Sequence, residues 1–301
     1  MVQAQKGKGM AAGTVRRLRI SPIAARNTID DVSNPTLLAH QLLNLNNLAE
    51  HQVYTDRLRL SSIADVCVRE QLLGFRNSVE RKATLAIGMQ ITFDLGNGIH
   101  DFFQNHTGYF GHNSLAWWRC SACRKKQFGR RPKQNCPHCN ALPGAFRYEE
   151  HSLRLPDEIP LTGHPDYFLE VGVGDIRIVD FKTINGEEFA LLNSPKYEHV
   201  MQVTGYMEYL QRDETLPVSV NPSKGFILYI SKKHQTKTLP FKMFHVGKSI
   251  KHVEMIREKV SLFGHGLADW SFLPPPLAPC RISEFLSGRA KSCPVAHLCQ
   301  R

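Results

Sequence analysis

The segment Gly163-His164-Pro165-Asp166, followed fourteen positions beyond Asp166 by Asp180-Phe181-Lys182, decides how this chain is read. Residues two apart on a β-strand point to the same face, so Asp180 and Lys182 project together, and a preceding strand brings Asp166 alongside them. Two carboxylates and an ammonium then converge. Gln202 and Tyr206, four apart on a following helix, share one face and lie within reach of a common phosphate. Hard oxygen donors of this kind suit Mg²⁺ or Mn²⁺, and the lysine can orient or help deprotonate the water that attacks a phosphodiester. The pattern predicts a metal-dependent nuclease site, whereas ion pairs at strand ends would account for an isolated D-x-K.

Outward from this segment, residues 146–155, 165–171 and 175–181 read as strands of a meander with turn residues between them. A helix starts at Pro195, with Val200, Val203, Met207 and Leu210 along one stripe. Residues 225–230 and 239–246 read as paired strands, and 247–263 as a closing helix whose Gly247-Lys248-Ser249 is a cap rather than a phosphate-binding loop. Upstream, the leucines of 34–51 predict a helix, Ser61-Ser62 an N-cap close to Cys67, and 83–103 a further helix carrying Gly96, Gly98 and His100. His100 lies on its inner face; taken alone, such a histidine is a packed core residue. The sum is α/β with a mixed sheet.

All eight cysteines fall into two sets of four. Cys120-Ser121-Ala122-Cys123 and Cys136-Pro137-His138-Cys139 are two CxxC pairs joined by twelve residues, a spacing in which four thiolates close a tetrahedral zinc site, with rubredoxin-like iron as the alternative. The other set is Cys67 with Cys280, Cys293 and Cys299, so a shared site would tie the two ends of the chain together. Four thiolates can hold a 4Fe-4S cluster or a zinc ion, and His297 could replace one of them; the residues leave this open.

The 301 residues allow one large domain or two modest ones, and 42% hydrophobic content supports a core without disulfides. A formal charge of +11 points to a polyanion, and with no apolar run of membrane-spanning length, nucleic acid is favoured over a membrane surface. Thiols available for metal chemistry fit a reducing, intracellular setting, the cytoplasm. Residues 1–26 carry Lys6, Lys8, Arg16, Arg17, Arg19 and Arg26 without an acid and read as a basic arm that holds DNA or aids solubility. Residues 102–148 contain no Asp or Glu, and cations surround the CxxC pairs, so the inserted module is expected to touch the phosphate backbone. Its metal would supply much of its folding free energy. Trp117 and Trp118 anchor it to the main fold or stack on bases.

With these residues in order, the chain resembles the RecB-like branch of the PD-(D/E)xK nucleases, especially the CRISPR-associated exonucleases and the nuclease domains of helicase-nucleases carrying an iron-sulfur cluster. The signature runs as a cysteine near the first helix (Cys67), a helix histidine (His100), a G-x-x-D strand (Gly163, Asp166), a D-x-K strand (Asp180, Lys182), a Q-x-x-x-Y helix (Gln202, Tyr206) and terminal cysteines (Cys280, Cys293, Cys299). The resemblance implies that His100, Asp166, Asp180 and the Phe181 carbonyl bind the catalytic metal, that Lys182 positions the attacking water, and that Gln202 and Tyr206 orient the scissile phosphate. A histidine ligand favours Mn²⁺ over Mg²⁺. The resemblance also implies that Cys67, Cys280, Cys293 and Cys299 hold a 4Fe-4S cluster of structural role. Two departures stand out: the gap from Cys280 to Cys293 is longer than the family's tight spacing, and the CxxC module is not a general family feature.

The expected organisation is a basic arm over 1–33, a helical part over 34–111 with Cys67 and His100, a zinc-binding insertion over 112–144, a restriction-endonuclease-like core over 145–265 and a cysteine-containing tail over 266–301. The expected function is a metal-dependent DNA exonuclease acting on single-stranded or resected ends in replication, recombination or processing, as suits phage or plasmid DNA. No motor is encoded, so a separate helicase or recombination protein would supply ends. A structure-specific or restriction-like endonuclease, and a non-catalytic accessory protein that binds nucleic acid, are the alternatives.

Overall fold

The computed structural model describes residues 49–84, 87–105, 113–233, 239–284 and 287–300. The basic arm and most of the helix expected over 34–51 lie outside these. The end of that helix is instead a strand, β1 (Ala49–Val53); after β2 (Leu58–Arg59) and α1 (Val68–Arg76), β1 pairs antiparallel with β3 (Glu80–Thr84). Helix α2 (Ile87–Asn105) follows. Next come β4 (Ser114–Cys120), β5 (Lys126–Gly129), β6 (Phe146–Glu149), β7 (Leu161–Thr162), β8 (Tyr167–Gly172) and β9 (Asp175–Ile184). Helices α3 (Gly186–Leu191) and α4 (Tyr197–Tyr209) cross over to β10 (Lys224–Ser231), which is followed by β11 (Phe241–Gly247) and α5 (Ile250–Ala268). Three short helices close the described chain: α6 (Ala278–Ile282), α7 (Gly288–Ser292) and α8 (Ala296–Cys299).

The central sheet has the order β11-β10-β9-β8-β4-β5, with β6 also on β4. Only β9 and β10 run parallel in it, as a strand pair joined through helices must, and the other pairings are antiparallel. This is a mixed sheet flanked by helices. The expected three-stranded meander is not formed, because β6 and β8 both pair with β4 rather than with each other. Strand β4 therefore belongs to two structures at once: Ser114 and Leu115 pair with β8, while Ala116 to Cys120 pair with β5 and β6. The cysteine module is built on a strand of the core sheet.

Alternation along β9 sorts its side chains between two layers. Ile176, Ile178 and Ile184 join the core under α4 and α5, while Val179 and Phe181 join a second core with Trp118, Phe146, Tyr167 and residues of α2. Helix α4 is buried from Met201 to Tyr209 because it lies between the sheet and the turn at Leu60. Gly205 makes that approach possible, since a Cβ there would sit 2.3 Å from Leu60 Cδ2. Ser249 caps α5 by accepting the His252 N–H, as the cap reading of Gly247-Lys248-Ser249 expects.

Candidate active site and metal centres

The residues of the opening segment meet where β8 begins beside the middle of β9. Asp166, just before β8, accepts the Phe181 N–H through Oδ2 at 2.7 Å, which fixes one carboxylate against the neighbouring strand. Asp180 and Lys182, on the same side of β9, form an ion pair at 2.8 Å between Oδ2 and Nζ. From α4 above them, Gln202 Nε2 donates to Asp180 Oδ1 at 3.1 Å and to the Tyr206 hydroxyl at 3.2 Å. The Tyr206 hydroxyl donates to the His164 carbonyl at 2.9 Å and accepts the His164 N–H at 3.2 Å. Gly163 is required here: a Cβ would lie 2.7 Å from the Tyr206 ring. Gln202 and Tyr206 are both buried and both engaged with protein atoms, so their contacts in the structure are to Asp180 and to the turn that carries Asp166.

From the opposite layer, α2 brings His100. Its ring packs edge-on against Phe181, with centroids 6.0 Å apart, and its Nδ1 stands 3.7 Å from Asp166 Oδ1. That distance is too long for a hydrogen bond, and it falls among the roughly 3–4 Å separations of neighbouring ligands around one small divalent ion. Asp180 is fully buried, and its Oδ2 has no aligned hydrogen-bond donor despite the nearby ammonium. Burial pushes the Asp180 carboxyl up to about 6, the Lys182 charge opposing that rise and Asp166 adding to it. Burial works against the Lys182 ammonium, yet Asp180 and Asp166 outweigh it and hold its pKa above the ordinary value. For His100, burial likewise opposes protonation and Asp166 overrides it. Two carboxylates and an imidazole converging at one buried place fit a divalent cation.

Sequence reasoning missed one contact of this site. The Tyr148 hydroxyl donates to the Asp166 carbonyl, and the Tyr148 N–H donates to Asn105 Oδ1 at the end of α2 at 3.2 Å. Its ring stacks on Tyr167 and meets Trp118 edge-on. A tyrosine in a strand eighteen residues before Asp166 has no spacing that could announce this role.

The CxxC pairs close on each other. The sulfurs of Cys120, Cys123, Cys136 and Cys139 all lie within 4.8 Å of one another. The Cys120–Cys139 and Cys123–Cys136 separations are 3.7 Å. Thiolates about 2.3 Å from one ion stand about 3.8 Å apart at the corners of a tetrahedron, and a disulfide would need about 2.0 Å. The two loops repeat one design. Arg124 and Asn140 each follow the second cysteine at positive φ (62° and 57°) and donate to the carbonyls of Cys120 and Cys136 at 2.8 Å. The Cys123 amide hydrogen-bonded to the Cys120 sulfur draws that thiol down to about 7, toward the thiolate that metals bind. Trp118 is fully buried and Trp117 donates to His151, so both tryptophans anchor the module to the fold.

Cys67, Cys280, Cys293 and Cys299 line one cavity with Glu70 and Arg289; His297 is not in its lining. Cys67 is the N-cap of α1, its sulfur accepting the Glu70 N–H, while Arg69 donates to the Cys299 sulfur at 3.1 Å and to the Pro274 carbonyl at 3.0 Å. Burial raises the Cys67 and Cys293 thiols. Cys67 and the three C-terminal cysteines thus share one cavity, Cys280 included.

Among the described residues no helix is long and apolar enough to cross a membrane. A family model described as the PD-(D/E)XK nuclease superfamily matches residues 140–300. The match begins one residue after Cys139 and takes in Asp166, Asp180, Lys182, Gln202, Tyr206 and the last three cysteines, leaving Cys67, His100 and the CxxC pairs before it. Among curated proteins nothing matches. Among solved structures, the alkaline exonuclease LHK-Exo from Laribacter hongkongensis is similar at 10% identity and a TM-score of 0.41, covering 76% of this chain and 92% of that one. Its complex with dAMP aligns at 11% identity and a TM-score of 0.41, over 82% and 100% of the two chains. The protein SSO0001 aligns at 12% identity and a TM-score of 0.37, over 87% and 96%.

Proposed function

From the premise that the chain belongs to the PD-(D/E)XK nuclease superfamily, we propose that it is a metal-dependent DNA exonuclease acting on single-stranded or resected ends, in replication, recombination or processing. The observation that carries this reading is the convergence of His100, Asp166, Asp180 and Lys182 around the central strand β9, with Gln202 bonded to Asp180 behind them. In this reading His100, Asp166, Asp180 and the Phe181 carbonyl hold Mn²⁺ or Mg²⁺. Bound there, the ion supplies charge neutralisation at the scissile phosphate and a more acidic water. Lys182, kept charged by its carboxylate neighbours, holds the attacking water in line. Gln202 fixes the Asp180 rotamer and Tyr206 fixes the 163–166 turn, so both act on the phosphate through the carboxylates. The exonuclease assignment comes from the resemblance to the RecB-like branch.

Zinc is the ion proposed for the CxxC module, on the tetrahedral sulfur spacing. A 4Fe-4S cluster is proposed for Cys67, Cys280, Cys293 and Cys299, whose shared cavity supports one common site. The test is to purify the protein anaerobically and incubate it with end-labelled linear and closed circular single-stranded DNA, with Mn²⁺ or Mg²⁺, beside Asp180→Ala. Loss of the linear strand alone, abolished in the variant, is expected. Cutting of the circle would make the enzyme an endonuclease, and hydrolysis surviving in Asp180→Ala would remove the site assignment. Inactivity on both would favour a duplex-specific enzyme or the accessory DNA-binding reading.

A further inference from the structure

We propose that the groove between the last turn of α2 and the cysteine module seats the sugar-phosphate backbone of the single DNA strand leading to the site, with Arg131 and Arg147 as its phosphate contacts; this rests on the nuclease reading above. The groove is open, about 480 Å³ in volume, and lined by Asp101, Asn105, Arg131 and Arg147. Three cations of the module are neutralised within the fold: Arg119 and Lys126 share Glu149, and Arg130 pairs with Glu170, while Arg124, Lys125 and Lys133 are exposed away from the groove lining. Arg131 and Arg147 have no carboxylate partner among the described residues. Arg131 lies over the Trp118 ring at 5.7 Å and donates to the Asn105 carbonyl, and Arg147 donates to the carbonyls of Gly144 at 2.6 Å and Phe146 at 3.1 Å. Neutral acceptors hold these two guanidiniums in place and leave them without a direct ion pair among the described residues, which is how an arginine is prepared for a phosphate. The one acid in the lining, Asp101, accepts from Asn105 Nδ2 at 2.9 Å.

Position supports the assignment as strongly as charge does. Asp101 follows His100 directly, and Asn105 is five residues along α2, roughly 7 Å of helix axis and the scale of one nucleotide. Asn105 is also tied to β6 through the Tyr148 N–H, so the groove and the candidate metal ligands share one rigid frame. A strand whose phosphate is held here enters the site at a fixed register.

The test measures binding without added Mn²⁺ or Mg²⁺, by fluorescence anisotropy of a fluorescein-labelled single-stranded oligonucleotide over a salt series, so that it does not depend on hydrolysis. Arg131→Gln with Arg147→Gln is expected to weaken binding on the order of tenfold and to flatten the slope of log affinity against log salt by about 1.4, the counterions of two single-strand phosphate contacts. Arg130→Gln, which removes a cation already paired with Glu170, is expected to bind as the unmodified chain does. An unchanged slope in the double variant, or an equal loss in Arg130→Gln, overturns the groove. Intact binding lost only in the double variant upholds it even where the linear and circular substrates show no hydrolysis, so the two readings fail separately.

Discussion

His151 is held neutral by the chemistry of its two neighbours. An indole N–H can only donate, and Trp117 Nε1 points at His151 Nδ1 at 3.0 Å, so the ring proton sits on Nε2 and is given to Asp213 Oδ2 at 2.8 Å. Burial lowers the histidine pKa and outweighs the pull of Asp213 in the other direction. The unfolded chain then takes up a proton near the ordinary value of about 6.5 while the folded chain refuses it, and stability falls as pH drops below that point. Burial alone would raise Asp213, but the Arg154 amide, Thr215 and His151 bring it below its ordinary value; its contribution is present above about 3.8 and is lost only as pH falls through the lowered folded value. Between about pH 6.5 and pH 4 the loss from this pair therefore belongs to the histidine. His151→Gln keeps an acceptor for Trp117 and a donor for Asp213 without a titrating ring. Its melting temperature is expected to change less between about pH 7 and pH 5 than that of the unmodified protein; parallel profiles would show that the pair is not the source of the acid sensitivity.

Strand β4 makes the cysteine module and the candidate active site one mechanical unit. Its partner β6 carries Tyr148, whose hydroxyl meets the Asp166 carbonyl and whose amide holds the end of the helix bearing His100. Burial raises the Tyr148 phenol well above its ordinary value, so it remains a donor. Groups that orient metal ligands typically change metal affinity about 10–100-fold when removed. Tyr148→Phe is accordingly expected to need roughly tenfold more Mn²⁺ for half-maximal cleavage while keeping the metal proposed for the CxxC module, and Cys123→Ser to show the same rise together with loss of that metal. A Mn²⁺ requirement untouched in both would leave the module without influence on the site. This coupling also marks the limit of what the residues disclosed beforehand. β9, β10, α4 and α5 were legible because their periodicity is local, and Asp180 and Lys182 fall together because strand alternation demands it, with Asp166 brought alongside by the pairing of β8 with β9. The double pairing of β4, the short reach of β6 and the strand at Ala49–Val53 depend on partners far along the chain, which no local pattern encodes. Tyr148 was illegible for the same reason, and the burial of Gln202 and Tyr206 behind the carboxylates follows from a glycine, Gly163, whose part only the packed ring reveals.

At the scale of the whole molecule, the C-terminal tail is strapped across α1. Arg76 donates to the carbonyls of Asp269 at 3.0 Å and Phe272 at 2.9 Å, and Arg69 to those of Pro274 and Cys299. These bonds lay the tail down, and the four thiols at its end and at Cys67 would lock it. Closing a loop of more than two hundred residues removes much freedom from the unfolded chain, worth about 5 kcal/mol or slightly more for a crosslink in the entropic model. Cys67→Ser separates the lock from the local fold, because serine is at least as good an N-cap as the cysteine it replaces and leaves α1 intact. The variant is expected to lose the visible absorbance of an iron-sulfur cluster, to melt on the order of 10 °C lower, and to be cleaved by protease first within 270–300 while the sheet stays protected. Should Cys67→Ser melt with the unmodified chain and keep its tail uncut, Arg69 and Arg76 hold the tail by themselves, and the thiols do not serve as a clamp.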